Sequence, residues 1–249
     1  VVGSGFQRSS QKKQFMPRAT PHRVYCAGPL FCQAEREEMT AIADRLVAAG
    51  YAVYLPHRDG MEFRLVRHCL IDQGWESHLA GQFLHQAIFA LDIYQLVEAC
   101  QSVVWNLNGR VPDEGAVSEA AIAWTLGKPI VAYKEDVRTL IEGRDNPLLA
   151  GLVDFNLVRS LDEIVPALAD ELASSSRQGS GRQGATRPSR AVEQAVAAGR
   201  SLWQAMLEHD ATGNSAAIAE HVAQLFAPQG LERSFAAPTF TPPERSQIV

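Results

Sequence analysis

The amino-acid sequence predicts an α/β fold built on a doubly wound parallel sheet, and three observations carry that prediction. Short apolar runs rich in β-branched and aromatic residues recur along the chain: Arg23 to Ala27, Tyr51 to Leu55, Ser102 to Trp105, Pro129 to Tyr133 and Phe155 to Val158. Stretches with apolar residues at helical spacing separate them. The connections are short, which suits βαβ units with right-handed crossovers.

Residues Val1 to His22 are polar and rich in Ser, Gln, Lys and Arg, too poor in apolar groups to fold alone, and are expected to form a flexible lead. The first strand, Arg23 to Ala27, is broken by Gly28-Pro29. A helix follows over Gln33 to Ala49, with Met39, Ile42, Ala43, Leu46 and Val47 on its periodic face and Gly50 as its C-cap. Tyr51 to Leu55 reads as the second strand, ended by Pro56. His57 to Gly81 is mixed in polarity and rich in His, Arg and Trp, and reads as a long loop, insertion or lid. Phe83 to Ala99 returns to helical period and feeds the third strand. Gly115 to Gly127 is one helix's worth of small apolar residues, expected to be covered on most sides. After the fifth strand, Leu161 to Ala173 is expected to be a helix opened by a capping box between Ser160 and Glu163. Five such units favour the flavodoxin-like strand order.

The catalytic-type domain is thus expected over 23–173. Residues 174–189, SSSRQGSGRQGATRPS, have linker composition. Arg190 to His209 and Asn214 to Phe226 read as amphipathic helices joined at Gly213, too few for a domain, and are expected to dock on the first domain or on a second subunit.

Apolar residues make up 46% of the 249, enough for a core, while a net charge of −5 removes the electrostatic case for a nucleic-acid polymer as partner. There is neither a signal-peptide h-region nor a membrane-length apolar run. Cys26, Cys32, Cys69 and Cys100 form no CxxC pair, which suggests reduced thiols, a cytoplasmic setting and no metal site.

Within Gly115 to Gly127 the sole ionisable side chain is Glu119. An acid on so apolar a helix is costly to bury without partners or chemical work. Asp113 lies six residues earlier, in the turn where the C-terminal edge of a parallel sheet meets a helix, which is the ligand edge of such folds. The plain alternative is that Glu119 caps a helix and Asp113 belongs to a solvated turn.

VYCAGPLF with the acidic AER after it, LPHRDG, LDIYQLVEACQSVVW, PDEGAVSEAAIAWTLGKPI and EGRDNPLLAG stand in one order over about residues 23 to 172. In that order they resemble the nucleoside 2-deoxyribosyltransferase family. The resemblance implies exchange of the base of a 2'-deoxynucleoside through a covalent deoxyribosyl-enzyme, without cofactor or metal, in nucleotide salvage. It implies Glu119 as nucleophile, Asp92 as the acid exchanging a proton with the base, and Tyr25 as the phenol orienting the nucleophile. Asp113 would help hold the sugar, Phe31 would lie by the base, and Gly28 and Gly115 belong to the two substrate-binding loops. Asn146 would reach a neighbouring subunit's site, so a homo-oligomer of at least two subunits is implied. Two departures are visible: Ala116 replaces a Thr, and Ala120 replaces a Gly, crowding the backbone near the sugar.

Breaking an N-glycosidic bond builds positive charge on the sugar and negative charge on the base, so one carboxylate must be ionised and one acid must carry a proton. Glu119, near a helix N-terminus, is expected to be the ionised one. Asp92, among apolar neighbours, is expected to have the raised pKa. Two other readings stand beside this one. A hydrolase of the same superfamily would cut nucleoside 5'-monophosphates and require a phosphate cradle, where AGPLF offers an apolar loop. A nucleotide-sensing module would bind without turnover and signal through the C-terminal helices.

Overall fold

The computed structural model describes residues 20–109, 111–136, 145–177, 188–209, 213–231 and 233. These form a five-stranded sheet of β1 (Arg23–Ala27), β2 (Ala52–Tyr54), β3 (Ser102–Asn106), β4 (Ile130–Tyr133) and β5 (Leu157–Val158). Every pairing is parallel, and the order is β2-β1-β3-β4-β5, the flavodoxin-like order. The two faces are dictated by alternation along β1. Val24 and Cys26 point to a layer made by Met39, Ile42 and Leu46 of α1 (Gln33–Ala48) with Ile164 and Leu168 of α7 (Ile164–Arg177). Tyr25 points to the opposite layer, where Ala116, Ala120 and Ala123 of α5 (Glu114–Thr125) bring that helix close to the sheet.

The segment expected as a long loop is helical. It holds α2 (Pro56–Asp59), α3 (Phe63–Asp72) and the start of α4 (Ser77–Tyr94), which runs on into a π-helical turn at Gln95–Ala99. α3 is amphipathic, burying Val66 and Leu70 with Cys69 and Ile71 beside them, but it is only ten residues long and stands among His, Arg and Trp, which favours the loop reading. The helix expected from Phe83 begins six residues earlier, at Ser77. Pro56 takes the first position of α2, where the missing N–H costs nothing.

Other expectations need correction. Glu163 accepts from the Arg159 amide at 2.8 Å, but Ser160 makes no side-chain cap, so the capping box is one-sided and a 3-10 turn (Leu161–Glu163) precedes α7. α7 continues to Arg177, past the Ser174 expected to open the linker. The remainder of that linker over 178–187, and residues 1–19 of the lead, lie outside the described residues. The helix bearing Glu119 is covered on its sheet side only, with Trp124 45% exposed.

The two C-terminal helices, α8 (Arg190–His209) and α9 (Ser215–Phe226), dock on the first domain. Asn214 caps α9, its side chain accepting from the Ala217 amide at 3.2 Å. Leu202, Met206, Ile218 and Val222 share one apolar cluster with Val66 and Leu70 of α3 and Phe83 and Leu91 of α4. Truncating a fully buried member such as Leu202 to Ala costs about 2–5 kcal/mol. α8 crosses α4 most closely at Gly199, where a Cβ would overlap the Ala90 carbonyl and stand 2.6 Å from the Tyr94 Cβ. Only glycine fits there. Among the described residues no helix is long and apolar enough to cross a membrane.

Candidate active site

Asp113 is the N-cap of α5, its Oδ2 accepting from the Ala116 amide at 2.7 Å. That bond fixes where the helix starts, and so where its second turn falls. Glu119 sits in that second turn, three residues beyond Ala116 and therefore near the sheet-facing stripe. There the Tyr25 hydroxyl, from β1, donates to Glu119 Oε1 at 2.6 Å. Asp92 comes from the last turn of α4, and the Tyr54 hydroxyl of β2 donates to its Oδ1 at a longer 3.4 Å. Tyr25 and Tyr54 are register partners on adjacent strands, with ring centroids 5.5 Å apart. Two phenol–carboxyl pairs thus stand side by side.

Burial pushes the Glu119 carboxyl up to about 8; the Tyr25 hydrogen bond opposes this, and the charges of Asp92 and Asp113 add to it. Burial also pushes Asp92 up to about 7, opposed by the Tyr54 hydroxyl. Both residues keep some accessible surface, so neither is sealed in the core. Asp92 has the raised pKa expected of it. Glu119 does not have the favoured charge expected of it. A helix N-terminus acts mainly within its first turn, and here that turn's donor is already taken by Asp113. Burial dominates, so in the unliganded protein the two acids hold protons in overlapping ranges. Both phenols are raised above their usual value, by burial first, and so remain donors at neutral pH.

The remaining candidates separate into two groups. Gly28 is held by packing: a Cβ there would overlap the Met39 sulfur and lie 3.0 Å from the Asn106 Cβ. Asn106 and Asn108 both donate to the Glu38 carboxylate at 2.7 Å, which clamps this sheet edge to α1. At Gly115 a Cβ would come within 3.2 Å of Asp113 Oδ2, against the cap itself. Ala120, expected to crowd the sugar, is fully buried against the sheet. The structure does not bring Phe31 or Asn146 to the acids within the chain. Phe31 is 80% exposed, and Asn146 is the exposed N-cap of α6 (Pro147–Ala150), accepting from the Leu148 amide at 3.0 Å.

Tyr54 went unrecognised in the sequence. Its signal was available in the strand order, since β2 beside β1 in parallel register places Tyr54 next to Tyr25. Among the described residues no three His, Cys, Asp or Glu side chains are grouped as a metal would need.

Two acids, each accepting from a tyrosine of the sheet, thus stand together, and comparison with known proteins gives the family in which to read them. The family model for nucleoside 2-deoxyribosyltransferase matches residues 24–179. No curated protein matches the chain. Among solved structures, a conserved protein from Enterococcus faecalis V583 is similar at 19% identity and a TM-score of 0.43, over 61% of this chain and 99% of that one.

Proposed function

The chain belongs to the nucleoside 2-deoxyribosyltransferase family, and from that premise we propose that it exchanges the base of 2'-deoxynucleosides through a deoxyribosyl ester on Glu119. Membership places it among glycosyl-transferring or hydrolytic enzymes acting on nucleosides and bases. The observation that carries the finer reading is the 2.6 Å bond from Tyr25 to Glu119 Oε1. It orients one carboxylate oxygen and stabilises the ionised form that a nucleophile needs.

In the first half-reaction the Glu119 carboxylate bonds to C1', and the C1'–N bond breaks with its electron pair going to the base. Asp92 gives its proton to a base nitrogen. In the second half a different base bonds to C1' through nitrogen, its proton passes to the Asp92 carboxylate, and Glu119 leaves as carboxylate. Two displacements return the sugar with retained configuration. Asp113, fixed by its cap bond, would hold the sugar. Asn146, which is exposed, would reach a neighbouring subunit's site, as family membership suggests.

A specific contact supports an unphosphorylated substrate over a nucleoside 5'-monophosphate. The amides of Phe31 and Cys32, at the start of α1, are the donors a phosphate would use. Both donate instead to Glu35 Oε2, at 2.8 and 2.9 Å, so an acid occupies the anion position.

Incubation with one deoxynucleoside and then a second free base tests the reading. A new deoxynucleoside is expected, and its loss in Glu119→Ala. Release of free base alone would mean hydrolysis, and tight binding without turnover would mean a sensing module.

A further inference from the structure

The helices that follow residue 179 lie outside the family match, yet α8 reaches the acid cluster. Trp203 meets the Tyr54 ring edge-on, with centroids 5.9 Å apart at 80°. The Arg23 guanidinium lies 4.9 Å from the Trp203 ring and 5.7 Å from the Tyr54 ring, joining the two. Tyr54 is therefore held between Tyr25 and Trp203. The distance of α8 is itself fixed, one turn earlier, by the Gly199 crossing on Ala90. Arg200 adds a lateral anchor, its Nε donating to Glu98 Oε1 of the π-helical turn at 2.8 Å.

We propose that Trp203 is a positioning residue for the active site, holding the Tyr54 ring so that its hydroxyl stays directed at Asp92. The role assigned to Asp92 rests on the base-exchange reading; the linkage of Trp203 to Tyr54 and Asp92 does not. The C-terminal hairpin thereby forms a wall of the catalytic machinery.

The test is a double-mutant cycle of Trp203→Ala and Tyr54→Phe, read first by 13C NMR titration of the Asp92 carboxyl in the unliganded protein. The titratable and charged groups facing this cluster are Tyr54, Tyr25, Glu119, Asp113, Cys100 and Arg23. Tyr54→Phe removes a donor to the ionised form, so the Asp92 titration moves upward, by about half a unit to one unit for so long a bond. Trp203→Ala is expected to move it in the same direction, and the double variant no further than Tyr54→Phe alone. Trp203→Phe, which keeps an apolar ring and the fold, is expected to show a smaller upward shift that vanishes in the Tyr54→Phe background. The same non-additivity is expected in kcat/KM. Additive shifts, no shift, or a downward shift from water entering beside Asp92 would overturn the proposal. An active enzyme with additive shifts sinks the Trp203 assignment alone. A non-additive titration in a protein without base-exchange activity sinks the proposed function alone.

Discussion

Replacing Asp92 with Asn gives the sharpest view of how the two acids divide their work. The proposed mechanism requires an ionised Glu119 and a protonated Asp92 in the free enzyme, yet Glu119 is raised to about 8 and Asp92 to about 7. With Glu119 raised above Asp92, the productive arrangement is a minority form of the free enzyme. The kcat/KM of the wild-type enzyme should follow a bell with limbs near those two pKa values. Asp92→Asn removes the group whose deprotonation causes the falling limb, so the profile should rise to a plateau. At the plateau Glu119 is fully ionised, a gain that offsets part of the roughly 10²- to 10⁴-fold loss of the general acid. The assay is kcat/KM against pH for an ordinary deoxynucleoside and for one whose base departs without a proton. The second substrate should lose little in the variant, and should show no falling limb in either enzyme. A falling limb that persists unchanged in Asp92→Asn, or equal losses for both substrates, would refute the assignment of Asp92 as proton donor.

Other consequences follow from the same contacts. Tyr25→Phe removes the donor that opposes the rise of Glu119, so kcat/KM near neutral pH should fall by about 10- to 100-fold. With the substrate whose base needs no proton, that loss should shrink as pH rises. Glu119 titrates at an ordinary 4.5 when unperturbed and at about 8 in the fold, so the native state holds its proton more tightly than the unfolded chain does. Stability linked to it is fully present below about 4.5 and is lost as pH rises through about 8, which makes Glu119→Gln more stable than wild type at about pH 9, by a few kcal/mol in urea unfolding. Gly28→Ala forces a methyl onto the Met39 sulfur, and the unfolding free energy should drop by about 1–3 kcal/mol.

Much of this architecture was legible because its signals are local. The strands from Arg23 and Ser102 declare themselves as apolar runs, and the connecting helices as stretches of another period. Glu119 stood out as a charge among alanines. What was hidden depends on packing across the chain. α3 keeps a helical apolar period but is only ten residues long, and its His, Arg and Trp neighbours look like a loop. The protonation of Glu119 is set by burial and by Asp92, which comes from a helix far away in sequence. Trp203 reads as an ordinary apolar position of an amphipathic helix. Its contact with Tyr54 exists because Gly199 lets α8 come against α4, a fact of shape that periodicity does not encode.

Base exchange by this route requires a covalent bond between Glu119 and the anomeric carbon. Acid quenching of the protein with a deoxynucleoside, in the absence of acceptor base, followed by proteolysis and mass mapping, looks for that bond directly. A deoxyribosyl ester on Glu119, discharged on adding a free base with formation of the new nucleoside, is the predicted result. Base exchange proceeding with the sugar attached to another residue, or with Glu119 never modified, would contradict it.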